Sequence, residues 1–198
     1  MARPTIKITR DRVADLDRAI RSLADRRVLV GFPQETAGRK EGDISNAEIA
    51  YIQNFGAPEA NIPPREFMEP GVRGVLPQLT EGLKHATQIG IEQSDAELDK
   101  ALMRVGMIGA QGIKAAINSN TPPPLAESTV AARIARRKSA SWKASRQAGV
   151  AANIGAGNAP GEGIFRTLVD TAQLRNAATY VIRLLRSKRD LIVGKSTS

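Results

Sequence analysis

The sequence predicts an α+β domain in which a small, mostly antiparallel sheet packs against long helices. Short apolar runs with strand character sit near both ends of the chain, and the span between them repeats its apolar residues at helical spacing. Proline clusters punctuate that span. All 198 residues are read as one domain, with 119–166 as a long extended insertion within it.

Residues 5–8 (TIKI) alternate in polarity and predict a short strand. Residues 11–24 predict a helix, since Val13, Leu16, Ile20 and Leu23 recur at helical spacing among charged residues. Residues 28–32 (VLVGF) form a compact apolar run that stops at Pro33, which predicts a strand. A polar loop over 34–42 follows. Ser45 and Glu48 then have the spacing of a capping box, and the helix they open should stop at Gly56. Pro58, Pro63, Pro64 and Pro70 make 57–71 a stiff, non-helical crossing.

Residues 72–118 predict helix along two stripes, one of Val75, Leu79, Leu83 and Ala86, the other of Leu98, Leu102, Val105, Gly109 and Ala116. Ser94 and Glu97 offer a restart, which leaves open two helices or one kinked helix. Pro122, Pro123 and Pro124 end this region, and 127–138 predict a short basic helix. Residues 139–163 are rich in Ser, Ala and Gly, with too few large apolar side chains to fold alone, so neighbouring subunits are expected to hold them. A turn or short helix over 169–176, capped by Asp170 or Thr171, leads to a strand over 179–185. A hairpin turn over 187–190 and a strand over 191–193 follow.

Composition narrows the chemistry. Hydrophobic residues make up 41% and aromatics 4%, so the core must be built from Ala, Val, Ile and Leu. There is no Cys and one His, which excludes disulfides, thiolate metal sites and multi-histidine centres. His85 lies on a predicted helix, where a solvent-facing or core-edge place outweighs a catalytic one. Asp95, Glu97 and Asp99 fall on different helix faces and make no local carboxylate pair. The tail reads Gly194-Lys195-Ser196-Thr197, but Arg189 stands where a phosphate-binding loop needs Gly. The Gly-rich run around Gly155, Gly157 and Gly161 has no preceding strand and reads as a linker. No cofactor and no metal are expected, and an enzyme ranks below a structural or binding role. Nothing has the pattern of an export signal or a membrane span, which predicts a soluble product made in the cytoplasm.

The net charge of +9 is uneven. Residues 1–126 carry 16 basic and 16 acidic side chains, whereas 127–198 carry 13 and 4. That asymmetry points to a polyanion or an acidic neighbouring protein as partner. Arg133, Arg136, Arg137, Lys138, Lys143 and Arg146 are the candidate contacts. Trp142 among them could stack on a base or anchor a subunit interface.

Two stretches are similar to a known family when taken together. Residues 44–56 (ISNAEIAYIQNFG) run on to 62–70 (IPPREFMEP), and residues 168–180 read LVDTAQLRNAATY. They resemble the neck and tail-completion proteins of tailed double-stranded-DNA bacteriophages, also called virion morphogenesis proteins. That family commonly reads NAEIAYIQEFG and IPARPFLRP in the first, and LVDTGQLRNSITY in the second. Residues 121–129 (TPPPLAEST) resemble its segment before a variable insertion. Here Glu66 and Glu69 replace the usual Pro or Arg, Ala177 replaces Ser, and Ala172 replaces a Gly, which speaks against a positive φ there.

The resemblance implies a structural virion protein without catalytic residues. Copies on the order of six or twelve would close a ring joining the portal–adaptor complex to the tail tube or terminator. Genomic DNA passes through such a ring and offers a non-specific contact, and no membrane is involved. The motif residues Tyr51, Phe55, Pro63, Phe67, Asp170, Thr171, Leu174 and Arg175 would be structural. Tyr51, Phe55 and Phe67 would either form a rigid wedge beside the prolines or fill the core under the sheet. Arg175 and Asn176 would tie the 170s turn to the sheet. The alternative is a nucleic-acid-binding protein acting through 127–146.

Overall fold

The computed structural model describes residues 13–33 and 44–185. The fold is α+β: helix makes up 63%, and among the described residues eight α-helices accompany a two-stranded antiparallel sheet. The elements run α1 (Val13–Ala24), β1 (Arg26–Gly31), α2 (Asn46–Phe55), a 3-10 turn (Pro58–Ala60), α3 (Met68–Gly74), α4 (Leu76–Glu92), α5 (Asp95–Asn118), α6 (Glu127–Ala135), α7 (Ala140–Gly155), α8 (Gln173–Ala177) and β2 (Thr179–Leu184). The strands expected at 5–8 and 191–193, the loop at 34–42, the turn at 187–190 and the Gly194–Thr197 run lie outside the described residues.

Local sequence accounts for most boundaries. The Ser45 hydroxyl accepts from the Glu48 N–H at 3.2 Å, and the Ser45 N–H donates to Glu48 Oε2 at 2.8 Å. These two bonds satisfy donors that the first turn of α2 leaves open. The backbone N–H of Ser45, then its hydroxyl, hold the Glu48 carboxyl below its usual range. Gly56 ends α2 at φ +79°, and its N–H donates to Ile52 O. The helix restart at Ser94 separates α4 from α5. The proline crossing is more helical than expected: α3 starts at Met68 and includes Pro70 and Gly71. Pro70 stands in the first turn, where an N–H would have no intrahelical acceptor, so its absence costs little. Asn54 is buried, and its Oδ1 accepts from the N–H groups of Phe67 (3.1 Å) and Met68 (3.2 Å) at the start of that helix.

The chain gathers into two compact units. Among the described residues, one comprises 13–29, Pro77–Gly106 and 181–185. Its core is Ala86, Leu98, Ala101 and Leu102, with Leu23, Val28, Ile89 and Ile182 packed around them. Arg26 fastens this unit, donating from Nε to Asp99 Oδ1 at 2.6 Å and from Nη1 to Ser22 O at 2.8 Å. The stripe expected to bury α1 does so only at Leu23 and at Ala19 beside it, because Val13, Leu16 and Ile20 are exposed. On α4, Ala86 is buried and Leu83 exposed.

The other unit, among the described residues, comprises 30–33, 44–76 and Met107–Tyr180. Ala50, Phe67, Ile113, Ile117, Leu168, Leu174 and Ala178 form its main core. Phe32 meets Phe67 edge to face at 6.2 Å between ring centroids. A second cluster joins Leu125, Val130 and Ile134 to Trp142, Val150 and Phe165. That cluster corrects one expectation. Residues 139–163 include α7, whose Ser139 cap accepts from the Trp142 N–H. Contacts within this chain reach the segment at Trp142 and Val150, so it is not without packing of its own. Alanine and the long straight side chains favour helix strongly enough for two anchors, Trp142 and Val150, to fix sixteen residues. Among the described residues, no helix is long and apolar enough to cross a membrane.

Candidate interaction surface

The basic residues of α6 and α7 are less free than their sequence suggests. Val130, Arg133 and Ile134 share the buried face of α6 at i, i+3 and i+4. Arg133 is 9% exposed. Its Nη1 donates to Arg166 O (2.7 Å) and Val169 O (3.2 Å), and its Nη2 to Thr167 O (3.1 Å). This arginine is a clamp on the 166–169 backbone, not the freely exposed cation that its place in the basic run suggests. Burial pushes its guanidinium pKa down, Asp170 opposes that, and Arg136 and Arg65 add to it.

The remaining cations divide. Arg136 pairs with Asp170 at 2.5 Å. Arg137 and Arg146 each place Cζ 5.5 Å from the centroid of the Trp142 ring, and Phe165 meets that ring at its edge, 6.2 Å away. Two guanidiniums and a phenyl ring thus surround Trp142 and compete with base stacking. Lys138 is exposed and Lys143 lines the groove between α6 and α7. Neither has a described ion-pair partner among the described residues.

The motif residues also sort themselves. Phe67 is fully buried, as a core residue should be. Tyr51 and Phe55 are not: they are 65% and 61% exposed, with centroids 4.9 Å apart. Helix α2 turns Asn46, Ala50 and Asn54 inward at steps of four and its aromatic pair outward. Pro63 is exposed and Leu174 buried. Asp170 and Thr171 do not cap α8, because the cap residue is Ala172, with no side-chain bond, and Asp170 is engaged by Arg136. Arg175 donates to its neighbour Asn176 at 3.3 Å rather than reaching the sheet.

Ala172 itself has φ +60°, so the left-handed turn persists without glycine. A Cβ there is crowded by the backbone at a cost of about 1–2 kcal/mol. Ala172→Gly is therefore expected to raise unfolding stability by about 1 kcal/mol, after the greater freedom of unfolded glycine is subtracted. Urea denaturation checks it, and an unchanged or lower midpoint would contradict the strained turn.

Sequence reasoning missed a second buried arginine. Arg65 is 6% exposed and donates from Nε to Pro123 O (3.0 Å) and from Nη2 to Pro124 O (3.2 Å). Beside these carbonyls Thr167 is bound twice, its N–H donating to Asn120 Oδ1 (3.1 Å) and its hydroxyl to Thr121 O (2.9 Å). Arg65 and Arg133 both line one cleft of about 910 Å³, walled by prolines including Pro63, Pro64, Pro123 and Pro124. The available signal was an arginine placed inside an otherwise apolar, proline-rich run. His85 is exposed on α4, and no group of three or more His, Asp or Glu able to hold a metal occurs among the described residues. No family model, curated protein or solved structure matches this chain.

Proposed function

We propose that this chain is a structural protein of the neck of a tailed phage, several copies of which close into a ring between the portal–adaptor complex and the tail. The observation that carries the reading is the outward aromatic pair Tyr51–Phe55, which lies within the first stretch of the family resemblance. A helix that buries asparagines and exposes aromatics is arranged for a partner rather than for its own core. The two resembling stretches, far apart in sequence, also supply one core: Ala50 comes from the first, and Leu174 and Ala178 from the second. Exposed Val13, Leu16 and Ile20 on α1 give a second apolar face. Two unlike faces on one chain are what a head-to-tail ring contact uses.

Light scattering and electron microscopy of the purified chain test this. Closed rings are expected, and the double variant Tyr51→Asp with Phe55→Asp is expected to be monomeric with unchanged circular dichroism. A monomer at every concentration would sink the ring. Tight binding to free DNA that falls steeply with salt would favour the nucleic-acid-binding alternative instead.

A further inference from the structure

We propose that the cleft floored by Arg65 and Arg133 binds an extended, apolar segment of a partner protein through one or two carboxylates. The charge is the first reason. Both arginines are more than nine-tenths buried as whole residues, and neither meets a carboxylate within ion-pair distance among the described residues. The residues lining the cleft include no Asp, Glu or Lys. A buried cation whose only acceptors are carbonyls keeps most of its desolvation cost, and an incoming carboxylate would offset it.

Donor capacity is the second reason. A guanidinium has five N–H donors. Arg65 spends two on Pro123 and Pro124, and Arg133 spends three on residues 166–169. That leaves three on Arg65 and two on Arg133 with no described acceptor. A planar fork with spare donors fits a carboxylate bidentately. Burial lowers the pKa of both groups, unopposed at Arg65 and opposed at Arg133 by the charge of Asp170.

Shape selects the rest of the ligand. The cleft measures about 910 Å³, and Pro58, Ile62, Pro63, Pro64 and Leu125 give it a rigid, apolar wall. Stiff proline walls lose little freedom on binding and suit aliphatic side chains. The lining holds no aromatic ring on which a base could stack. A peptide alternating aliphatic and acidic residues meets both floor and wall. This inference stands apart from the ring, since a monomer could bind such a segment equally well.

The test uses the full chain and a fluorescein-labelled hexapeptide alternating leucine with aspartate, against its asparagine counterpart. Fluorescence anisotropy is expected to show the acidic peptide binding at least about tenfold more tightly. Arg65→Gln should remove that advantage, Arg65→Lys should restore part of it, and Arg137→Gln, outside the cleft, should leave it intact. Acetate titrated into the unaltered protein, with the Arg65 Nη–H and Arg133 Nε–H resonances followed by NMR, gives a readout that needs no variant, and both should shift. Equal binding of the two peptides, no binding of either, unmoved arginine resonances, or tighter binding of inorganic phosphate or single-stranded DNA at the same residues would each overturn the proposal.

Discussion

Arg133→Met is expected to lower unfolding stability by on the order of 3 kcal/mol, far more than any other cation of the basic segment. Methionine preserves the length of the side chain and the helix propensity of α6, so the change isolates the guanidinium. Opposing effects are large. Three bonds from a charged donor contribute about 1.5–3 kcal/mol each. Burying the charge costs several kcal/mol, and removal recovers that part. What remains is three carbonyls at Arg166, Thr167 and Val169 that lose their charged donor beside a closed core. Their desolvation decides the sign.

Arg136→Met supplies the comparison. Its pair with Asp170 is largely exposed on the arginine side and should contribute less than about 1 kcal/mol. Arg133→Lys should recover only part of the loss, because a single ammonium cannot reach three carbonyls with a planar fork's geometry. Urea denaturation of the three variants reads all of this. Equal midpoints for Arg133→Met and Arg136→Met would mean that Arg133 is an ordinary surface cation and the clamp is wrong.

The same arginine shows where sequence stops being legible. Cap and stripe signals depend on neighbours a few residues away, so the Ser45–Glu48 box, the stop at Gly56 and the buried stripe of Leu98, Leu102 and Val105 all appear as expected. Arg133 sits in a basic run, and charge alone predicts a solvated face. Its phase argued otherwise, since it shares the stripe of Val130 and Ile134 on α6, whereas Arg136 is off that stripe and Arg137 lies beyond the end of the helix. Its acceptors lie more than thirty residues on, and no local pattern announces them. Asn54 is the same case on α2, an inward polar residue whose partners begin another helix. Helix α7 is hidden for a different reason: large apolar residues are scarce there, and the helix rests on alanine propensity rather than on an apolar stripe.

Gly112→Ala in the middle of α5 is expected to destabilise the protein by about 2 kcal/mol, against the trend that alanine improves helices by about 1 kcal/mol. The reason is a backbone-to-backbone approach between α3 and α5. A Cβ on Gly112 would run into Gly71 O and stand 2.8 Å from Val75 Cγ2. A Cβ on Gly71 would meet Ile113 Cα at 2.8 Å and Gly112 O at 2.9 Å. A flexible side chain could rotate away from such a contact, but a carbonyl fixed in its own helix cannot, so the two helices must separate. Separation would open the packing of Phe67 and Met68 against Ile113 and Ile117 in the main core, and overpacking of this kind costs about 1–3 kcal/mol. Gly155→Ala at the end of α7 is the control: its added methyl meets nothing within 4 Å, so it should gain up to about 1 kcal/mol. Thermal melts of both variants separate propensity from packing. If Gly112→Ala also raised the midpoint, the close approach of α3 and α5 would not exist in solution, and the wall of the core that α3 provides would have to be placed elsewhere.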